Sequence, residues 1–212
     1  MEEYKNIAEI KFFDIDTISD NIIIYGENKT GKTTFIKNII DIYKHKKIIK
    51  VVTQNLNEYK NILSEQNILS FDMLDDIIFK QIEEEHNLML IIDEIKDISN
   101  EFDTICSIIK KSKFLGITLV IASKIILDNE YNNDFDFIIM FNDFTNIVKY
   151  WSTYGLLYDK TFFSDIYLES VKNKYECLIL DIKYNKFFWY KYTPIQNFYF
   201  LYKKFINIFS CI

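Results

Sequence analysis

The sequence predicts an α/β fold with a mostly parallel central sheet flanked by helices, followed by a C-terminal β-hairpin plus helix. Short apolar segments alternate with amphipathic ones between residues 21 and 142. The apolar segments lack polar alternation, which is typical of parallel strands covered on both faces. Two further strand-like runs near residues 176–192 are joined at Tyr184 and Asn185, as in an antiparallel hairpin. These observations favour one α/β domain.

The predicted elements follow from apolar spacing along the chain. Helical spacing at 33–43, for example, places Phe35, Ile36, Ile39 and Ile40 on one face. The predicted strands are 11–16 at an edge, 21–25, 48–53, 88–92, 117–122, 135–141, and the hairpin 176–182 with 186–192. The predicted helices are 33–43, 71–85, 100–111, 160–171 and 195–209.

Length and composition limit the domain organisation. The chain has 212 residues, of which 49% are hydrophobic and 26% charged, and no repeat or Gly/Pro-rich linker interrupts it. We therefore expect a single domain over residues 1–212, with a core at about 11–142 and a C-terminal extension at about 143–212. Only 4 Gly occur, and all 25 basic residues are Lys. The absence of arginine limits the mechanisms available to the chain.

Charge and cysteine usage exclude several classes of protein. A formal charge of -6 excludes a globally basic nucleic-acid binder but leaves room for a local basic surface. The 3 Cys and 2 His have no metal-ligand spacing. Residues 1–5 show no basic start of a secretory signal, and no apolar run reaches the length of a membrane span. We expect a protein that is not secreted, has no membrane partner and occupies a reducing compartment.

A glycine-rich segment follows the strand at 21–25. Residues 26–33 read GENKTGKT and fit the pattern G-x-x-x-x-G-K-[ST], between an apolar strand and a helix. The glycines let successive N–H groups point into one concavity, and the helix N-terminus adds positive charge. Lys32 is expected to reach the β- and γ-phosphates, and Thr33 to help hold Mg²⁺. The predicted nucleotide contacts are Gly26, Glu27, Asn28, Lys29, Thr30, Gly31, Lys32, Thr33 and Thr34.

Two carboxylates follow the apolar strand at 88–92. Asp93 and Glu94 would lie at the carboxyl edge of the sheet, where open α/β sheets bind ligands. Asp93 is predicted to bind Mg²⁺ directly or through water, and Glu94 to polarise the water that attacks the γ-phosphate. A solvated acidic turn is the alternative. Together with the phosphate loop, the pair predicts an ASCE-type P-loop NTPase with ATP and Mg²⁺ as cofactors.

The same pair argues against other nucleotide enzymes. A GTPase would have D-x-x-G here and a later N-K-x-D motif, and the chain has neither. A small-molecule kinase needs no water-activating glutamate and usually carries arginines in a lid, whereas this chain has Glu94 and no arginine. ATP hydrolysis is therefore the favoured activity.

The strand at 117–122 ends at Ser123 and Lys124. If this strand lies between the strand of the phosphate loop and that of the acidic pair, Ser123, or alternatively Lys124, would sense the γ-phosphate. An ordinary strand-to-loop transition explains these residues equally well.

The order of these motifs resembles the FtsK/HerA superfamily, and in particular the genome-packaging ATPases of poxviruses and other large DNA viruses. The resemblance spans about 22–191. It is carried by residues 26–33, 88–94, 116–123 (GITLVIAS) and the hairpin segments 175–181 (YECLILD) and 185–191 (NKFFWYK). It implies an ATP-hydrolysing motor that translocates double-stranded viral DNA into a capsid.

The resemblance also implies partners and a location. They are double-stranded DNA, further copies in a homo-oligomeric ring with ATP between subunits, and a capsid or portal protein. The expected location is the host cytoplasm, in a viral factory, or the virion.

The chain departs from the family at two positions. Members usually have Gln or Asn at the sensor position and an arginine before that strand, whereas this chain has Ser123 there and Lys110, Lys111 and Lys113 before it. A lysine such as Lys113 must then act in place of the arginine, another protein must supply it, or turnover is slow. The missing arginine motivates one alternative function, a nucleotide-gated assembly or scaffold protein with weak hydrolysis. An AAA+-type loader ATPase is a further alternative, but it should carry a helical lid after the strand at 135–141, where the sequence predicts a hairpin.

Overall fold

The computed structural model describes residues 8–10, 20–71, 87–95, 102–127, 131, 134–184 and 186–190. They form a nine-stranded sheet in the order β1-β9-β8-β7-β2-β6-β5-β3-β4. The strands are β1 (Ala8–Ile10), β2 (Ile22–Tyr25), β3 (Ile48–Thr53), β4 (Ile68–Leu69), β5 (Leu88–Ile95), β6 (Thr118–Ser123), β7 (Phe137–Met140), β8 (Cys177–Asp181) and β9 (Lys186–Tyr190). The helices are α1 (Lys32–Tyr43), α2 (Phe102–Leu115), α3 (Ile147–Tyr154) and α4 (Lys160–Ser170).

The sheet is mostly parallel. β8 pairs antiparallel with both β7 and β9, and the other described pairs are parallel. The carboxyl ends of β2, β6, β5 and β3 therefore meet at one edge of the sheet. The residues that follow these four strands form the candidate site.

Two apolar clusters cover the two faces of the sheet. Alternate residues of β2 point to opposite sides, so that Ile23 belongs to one cluster and Ile22 and Ile24 to the other. α1 packs on the second face through Phe35, Ile36, Ile39 and Ile40, while α2, α3 and α4 cover the first. This double burial explains why the central strands are apolar without alternation.

The predicted fold class is confirmed: the chain is α/β with a mostly parallel sheet, flanking helices and the antiparallel hairpin. The bounds of β3 match the prediction, and most of the other predicted strands differ by one to three residues. The predicted strand 11–16 and helix 195–209 lie outside the described residues, as does helix 71–85 apart from its first residue. The division into a core and an extension stays a prediction.

Two strands and one α-helix of the structure were not predicted. β1 pairs in parallel with β9, β4 adds a short edge beside β3, and α3 precedes the predicted helix 160–171. The hairpin that the sequence predicts after the strand at 135–141, in place of the helical lid of an AAA+ loader, follows only after α3 and α4. In the part of the chain described here, no helix combines the length and apolarity needed to span a membrane.

Candidate functional site

The phosphate loop connects β2 to α1 at the carboxyl edge of the sheet. Gly26 (φ 147°) and Gly31 (φ 126°) adopt backbone angles that disfavour side chains, and Lys29 has φ 63°. The Gly26 position is also crowded, because a Cβ there would lie 2.7 Å from Cβ of Phe141. The glycines of the motif are therefore required by both conformation and space.

Neighbouring segments hold the loop in place. The N–H of Glu27 donates to the carbonyl of Asn142 (3.2 Å), and that of Tyr175 donates to the carbonyl of Thr30 (3.3 Å). The Thr30 hydroxyl turns back to the Glu27 carbonyl at 2.8 Å. The loop is thus anchored on one side by the end of β7 and on the other by the segment before β8.

The Lys32 side chain folds back under the loop. Its Nζ donates to the carbonyls of Gly26 (2.6 Å) and Glu27 (2.7 Å). Burial, followed by repulsion from Lys124, lowers the pKa of Lys32 to about 8. Asp93 and Glu94 oppose this shift. An anion placed on the loop would replace the two carbonyls as the partner of this ammonium group.

Asp93 lies opposite the first turn of α1. Its Oδ2 is 3.5 Å from the Thr33 hydroxyl and accepts a 2.6 Å hydrogen bond from the Tyr59 hydroxyl. Burial raises the pKa of Asp93, and the hydrogen bond from Tyr59 acts in the opposite direction. The two predicted metal ligands therefore meet in space, 60 residues apart in sequence.

Glu94 has an unusual backbone. Its φ of 70° coincides with a register shift between Ile92 and Ile95 in the pairing of β5 with β6. A bulge with a non-glycine residue in the left-handed region is strained and re-aims the side chain. The Glu94 side chain lines the cleft beside the loop, and its Oε1 lies 3.5 Å from Nζ of Lys124.

These residues border a cleft of about 570 Å³, within the usual range for small-molecule sites. Thr34, a predicted nucleotide contact, lines the cleft. Residues from two further segments also line it, and these were not predicted from the sequence. Thr53 ends β3, Asn55 and Glu58 follow it, and Lys174 and Tyr175 precede β8. Nothing local in the sequence marks them; only the adjacency of β3 to β5, and of the hairpin to the loop, brings them here.

A second, smaller cavity of about 340 Å³ also borders the phosphate loop. It is lined by Gly26, Glu27, Asn28, Lys124, Asp143, Thr145 and Asn146. Asp143 is 2% exposed and accepts hydrogen bonds from Tyr150 (3.0 Å), Thr145 (2.8 Å) and Asn146 (2.8 Å). This carboxylate is held within the fold, and no local sequence pattern indicates its position.

Ser123 differs from the expectation for a sensor. Its β6 lies between β2 and β5 as predicted, but the side chain is fully buried. The hydroxyl donates to the carbonyl of Ile125 (2.8 Å) and accepts from the Ile125 N–H (3.0 Å). It therefore faces its own loop, and Lys124 is the neighbour that borders the phosphate loop.

Lys113 lies at the opposite edge of the sheet. Its Nζ is 3.2 Å from Oδ1 of Asp136, whose Oδ2 accepts the Asn21 N–H at the start of β2. The four residues of β2 separate this edge from the phosphate loop by about 13 Å. Lys113 therefore does not contact a nucleotide in its own subunit, and a role for it requires a neighbouring subunit.

The oxygen ligands of the site fit a magnesium ion. Thr33 and Asp93 supply a hydroxyl and a carboxylate, and Mg²⁺ usually takes few protein ligands together with phosphate and water. No group of three or more His, Cys, Asp or Glu side chains suited to a metal occurs among the described residues. The site thus suits an ion that is shared with a phosphate rather than held in a closed protein cage.

Comparison with known proteins places this arrangement in a family. Residues 19–136, more than half of the chain, match the family model described as an AAA domain. The chain belongs to the AAA domain family. The match covers β2 to the residue before β7, including the phosphate loop and the acidic pair. The extension from α3 to β9 lies outside the matched region.

Solved structures with the same fold as this AAA domain include viral NTPases. The genome-packaging NTPase B204 of Sulfolobus turreted icosahedral virus 2, in complex with AMP, superposes with a TM-score of 0.63 at 18% identity, over 84% of this chain and 99% of that one. The conjugation coupling protein TcpA of pCW3 follows with a TM-score of 0.59 at 12% identity, over 84% and 61%. At the level of the fold, these neighbours confirm the FtsK/HerA resemblance.

A curated viral protein is also similar in sequence. Protein 015R of Frog virus 3 (isolate Goorha), described as uncharacterized, is 22% identical over 85% of this chain. The match covers 64% of that relative, so this AAA domain spans less than two thirds of its length.

Proposed function

We propose that the chain is an ATP-hydrolysing motor that translocates double-stranded viral DNA into a capsid during packaging. The observation that carries the proposal is the meeting of Lys32, Thr33, Asp93 and Glu94 at one cleft. The same fold occurs in the packaging NTPase B204, which has been solved with AMP, AMPPCP and ATP-gammaS. The side chains of the cleft and the fold shared with B204 both support the proposal.

Each side chain has a defined part in this reaction. The Lys32 ammonium leaves the loop carbonyls and binds the β- and γ-phosphates, while the loop N–H groups hold the remaining phosphate oxygens. Thr33 and Asp93 would hold Mg²⁺, which supplies charge neutralisation at the phosphates. Glu94 accepts a proton from the water that attacks the γ-phosphorus, and ADP departs as the bridging P–O bond breaks.

Translocation calls for more than one subunit. We propose a homo-oligomeric ring around double-stranded DNA, docked on a capsid or portal protein in the host cytoplasm or virion. In such a ring Lys113, at the sheet edge remote from its own nucleotide, would meet the nucleotide of a neighbour. Residues 1–212 act as one motor domain in this proposal, with the hairpin continuing the sheet of the core.

The test combines turnover with assembly. ATP hydrolysis is measured with and without double-stranded DNA, and oligomer mass is measured with and without nucleotide. We expect DNA to stimulate turnover and nucleotide to favour the ring. Lys32→Ala should abolish ATP binding, and Glu94→Gln should trap ATP without hydrolysing it. Glu65→Gln is the matched control, since Glu65 is an exposed carboxylate (85% exposed) that does not line the cleft.

Two outcomes would contradict the motor. Turnover that is slow and indifferent to DNA, with nucleotide-dependent assembly, would instead identify a nucleotide-gated scaffold. Normal turnover by Glu94→Gln would remove the role assigned to that carboxylate.

A further inference from the structure

The segment before β8 places an aromatic ring at the nucleotide edge of the sheet. β8 runs antiparallel to β7, and Leu178 lies opposite Met140, which pairs in turn with Tyr25 at the end of β2. The beginning of β8 therefore lies level with the beginning of the phosphate loop. Tyr175, three residues before Leu178, lies beside the loop and lines the cleft.

The Tyr175 ring packs over Gly31. A Cβ at Gly31 would lie 2.9 Å from Cδ1 of the ring and 3.1 Å from Cα of Tyr175, and the backbone N–H of Tyr175 donates to the carbonyl of Thr30 at 3.3 Å. Tyr175 itself has a φ of 71°, and a bulky residue in this left-handed region is uncommon and is held there by its surroundings. The position of the ring against the loop is therefore fixed by the fold.

The sheet order gives a bound nucleotide its direction. β5 and β8 lie on opposite sides of β2, each two strands away, or about 10 Å. In the proposed reaction the γ-phosphate lies towards Glu94 on β5, so the nucleoside lies at the other end of the phosphate chain, towards β8. Glu94 and Tyr175 line the same cleft. A nucleotide that lies across the loop thus brings its base to Tyr175.

The chemistry of the cleft favours the same end. Among the described residues that line it, Tyr175 alone has an aromatic ring. The lining residues on the β3 side are polar, and Glu58 there is paired with Lys37 at 2.6 Å. A nucleobase has two flat π faces, which gain more from an aromatic ring than from an ion pair. The base is therefore better accommodated at Tyr175 than on the β3 side.

One face of the Tyr175 ring is covered by an exposed cation. Nζ of Lys174 lies 4.8 Å from the ring centroid, and Lys174 is exposed whereas Tyr175 is half-buried. A cation–π contact at an exposed site is weak, and stacking of a base on an aromatic ring is stronger. A base can therefore take the place of the ammonium group on this face.

We propose that Tyr175 stacks on the nucleobase of the bound nucleotide and gives the cleft a preference for purines over pyrimidines. The inference rests on the proposed ATPase function and assigns the base end of a site whose phosphate end is the loop. Stacking increases with the overlap of the two π surfaces, and a purine has two fused rings whereas a pyrimidine has one. The phenol hydroxyl has no part in this contact, so a phenylalanine would serve equally.

The experiment measures affinity for three ligands: a non-hydrolysable ATP analogue, the corresponding UTP analogue, and inorganic tripolyphosphate, which has no base. For Tyr175→Leu, which keeps apolar bulk against Gly31 but has no π face, we expect affinity for the ATP analogue to fall about 10- to 100-fold. Affinity for tripolyphosphate should stay within about twofold, because the loop is unchanged. The preference for the ATP analogue over the UTP analogue should be lost. Tyr175→Phe should behave as the wild type.

Tyr184→Leu is the matched control. Tyr184 also has a lysine over its ring, with Nζ of Lys183 5.2 Å from the centroid, but it is 61% exposed in the hairpin and does not line the cleft. We expect all three affinities to be unchanged in this variant. A loss equal to that of Tyr175→Leu would overturn the proposal, because removal of a tyrosine outside the cleft would then suffice.

Other outcomes would also overturn the stacking role. A fall by the same factor for tripolyphosphate and the ATP analogue would mean that Tyr175 only supports the loop, and an unchanged preference for the ATP analogue would mean that the base binds elsewhere.

Failure of this inference is distinguishable from failure of the motor. A wild type that prefers the ATP analogue through Tyr175 but shows no DNA-stimulated hydrolysis overturns the motor alone. A wild type that binds tripolyphosphate as tightly as the ATP analogue overturns the stacking alone. A wild type that binds none of the three ligands overturns both.

Discussion

The hydroxyl of Tyr59 donates a 2.6 Å hydrogen bond to Oδ2 of Asp93, the same oxygen that lies 3.5 Å from the Thr33 hydroxyl. Tyr59 is fully buried, so this bond forms without competition from bulk water. It fixes the orientation of the carboxylate that would hold the metal. Tyr59 is therefore a positioning residue, in a loop that carries no recognisable motif.

Tyr59→Phe should weaken the site without removing a ligand. Loss of the hydrogen bond to a buried carboxylate lowers the free energy of unfolding by about 1.5–3 kcal/mol. The Mg²⁺ concentration for half-maximal ATP hydrolysis should rise, because Asp93 is no longer held towards Thr33. Urea unfolding and a Mg²⁺ titration measure the two effects. Tyr184→Phe, at a ring that is 61% exposed, is the control, and a similar response from both variants would refute the positioning role.

Asp93→Asn should separate stability from activity. Burial raises the pKa of Asp93, so the folded state binds this proton more readily than the unfolded state. The ionised group therefore costs stability at neutral pH, and the cost falls as the pH is lowered through the folded pKa. We expect the substitution to raise the free energy of unfolding by about 1 kcal/mol at pH 7 and to abolish Mg²⁺-dependent hydrolysis. Equal or lower stability at neutral pH would contradict the burial argument.

Nucleotide affinity should depend on pH through Lys32. The pKa of this ammonium is about 8 without ligand, and bound phosphate raises it by charge attraction. Affinity should therefore be flat below pH 8 and fall about tenfold per pH unit above it, until the pKa of the complex is reached. Titrations from pH 6.5 to 9.5 measure the effect. Lys32→Met should bind weakly and without this dependence, and a flat wild-type profile up to pH 9.5 would be inconsistent with the lowered pKa.

Gly31→Ala should be more harmful than Gly116→Ala. Both glycines have positive φ, but a Cβ at Gly31 would lie 2.9 Å from the Tyr175 ring and 3.1 Å from its Cα, whereas nothing lies within 4 Å of one at Gly116. We expect about 1 kcal/mol for Gly116→Ala and about 2–3 kcal/mol for Gly31→Ala, with loss of nucleotide binding only in the latter. Thermal unfolding and nucleotide titration test this; equal losses would mean that crowding by Tyr175 is unimportant.

The features that depend on residues close together in the sequence could be predicted from it. Strands apolar on both faces and the glycine spacing at 26–33 identify the parallel core and the phosphate loop, because each depends on residues adjacent in the chain. The position of β6 between β2 and β5 was not itself predicted. It was only the condition under which Ser123 or Lys124 would sense the γ-phosphate. Contacts over long sequence separation, such as Tyr59 with Asp93, have no local signature.

The orientation of individual side chains also could not be predicted from the local sequence pattern. Ser123 and Lys124 are neighbours at a strand end, and the choice between them depends on which side chain faces its own loop. The backbone of Glu94 could not be predicted either, since nothing in the sequence around it indicates a bulge with positive φ. α3 was missed because it is only 8 residues long, and the Asn146 before it makes no capping hydrogen bond through its side chain.

The pairing of β1 with β9 has a practical consequence for recombinant work. Residues 8–10 pair in parallel with Phe188, Trp189 and Tyr190. Deleting the first ten residues would leave the backbone N–H and C=O groups on that side of an aromatic strand without their partners. Such an edge readily recruits another polypeptide, so a shortened version of the protein is expected to self-associate through β9, and its particle size would then misreport the native assembly.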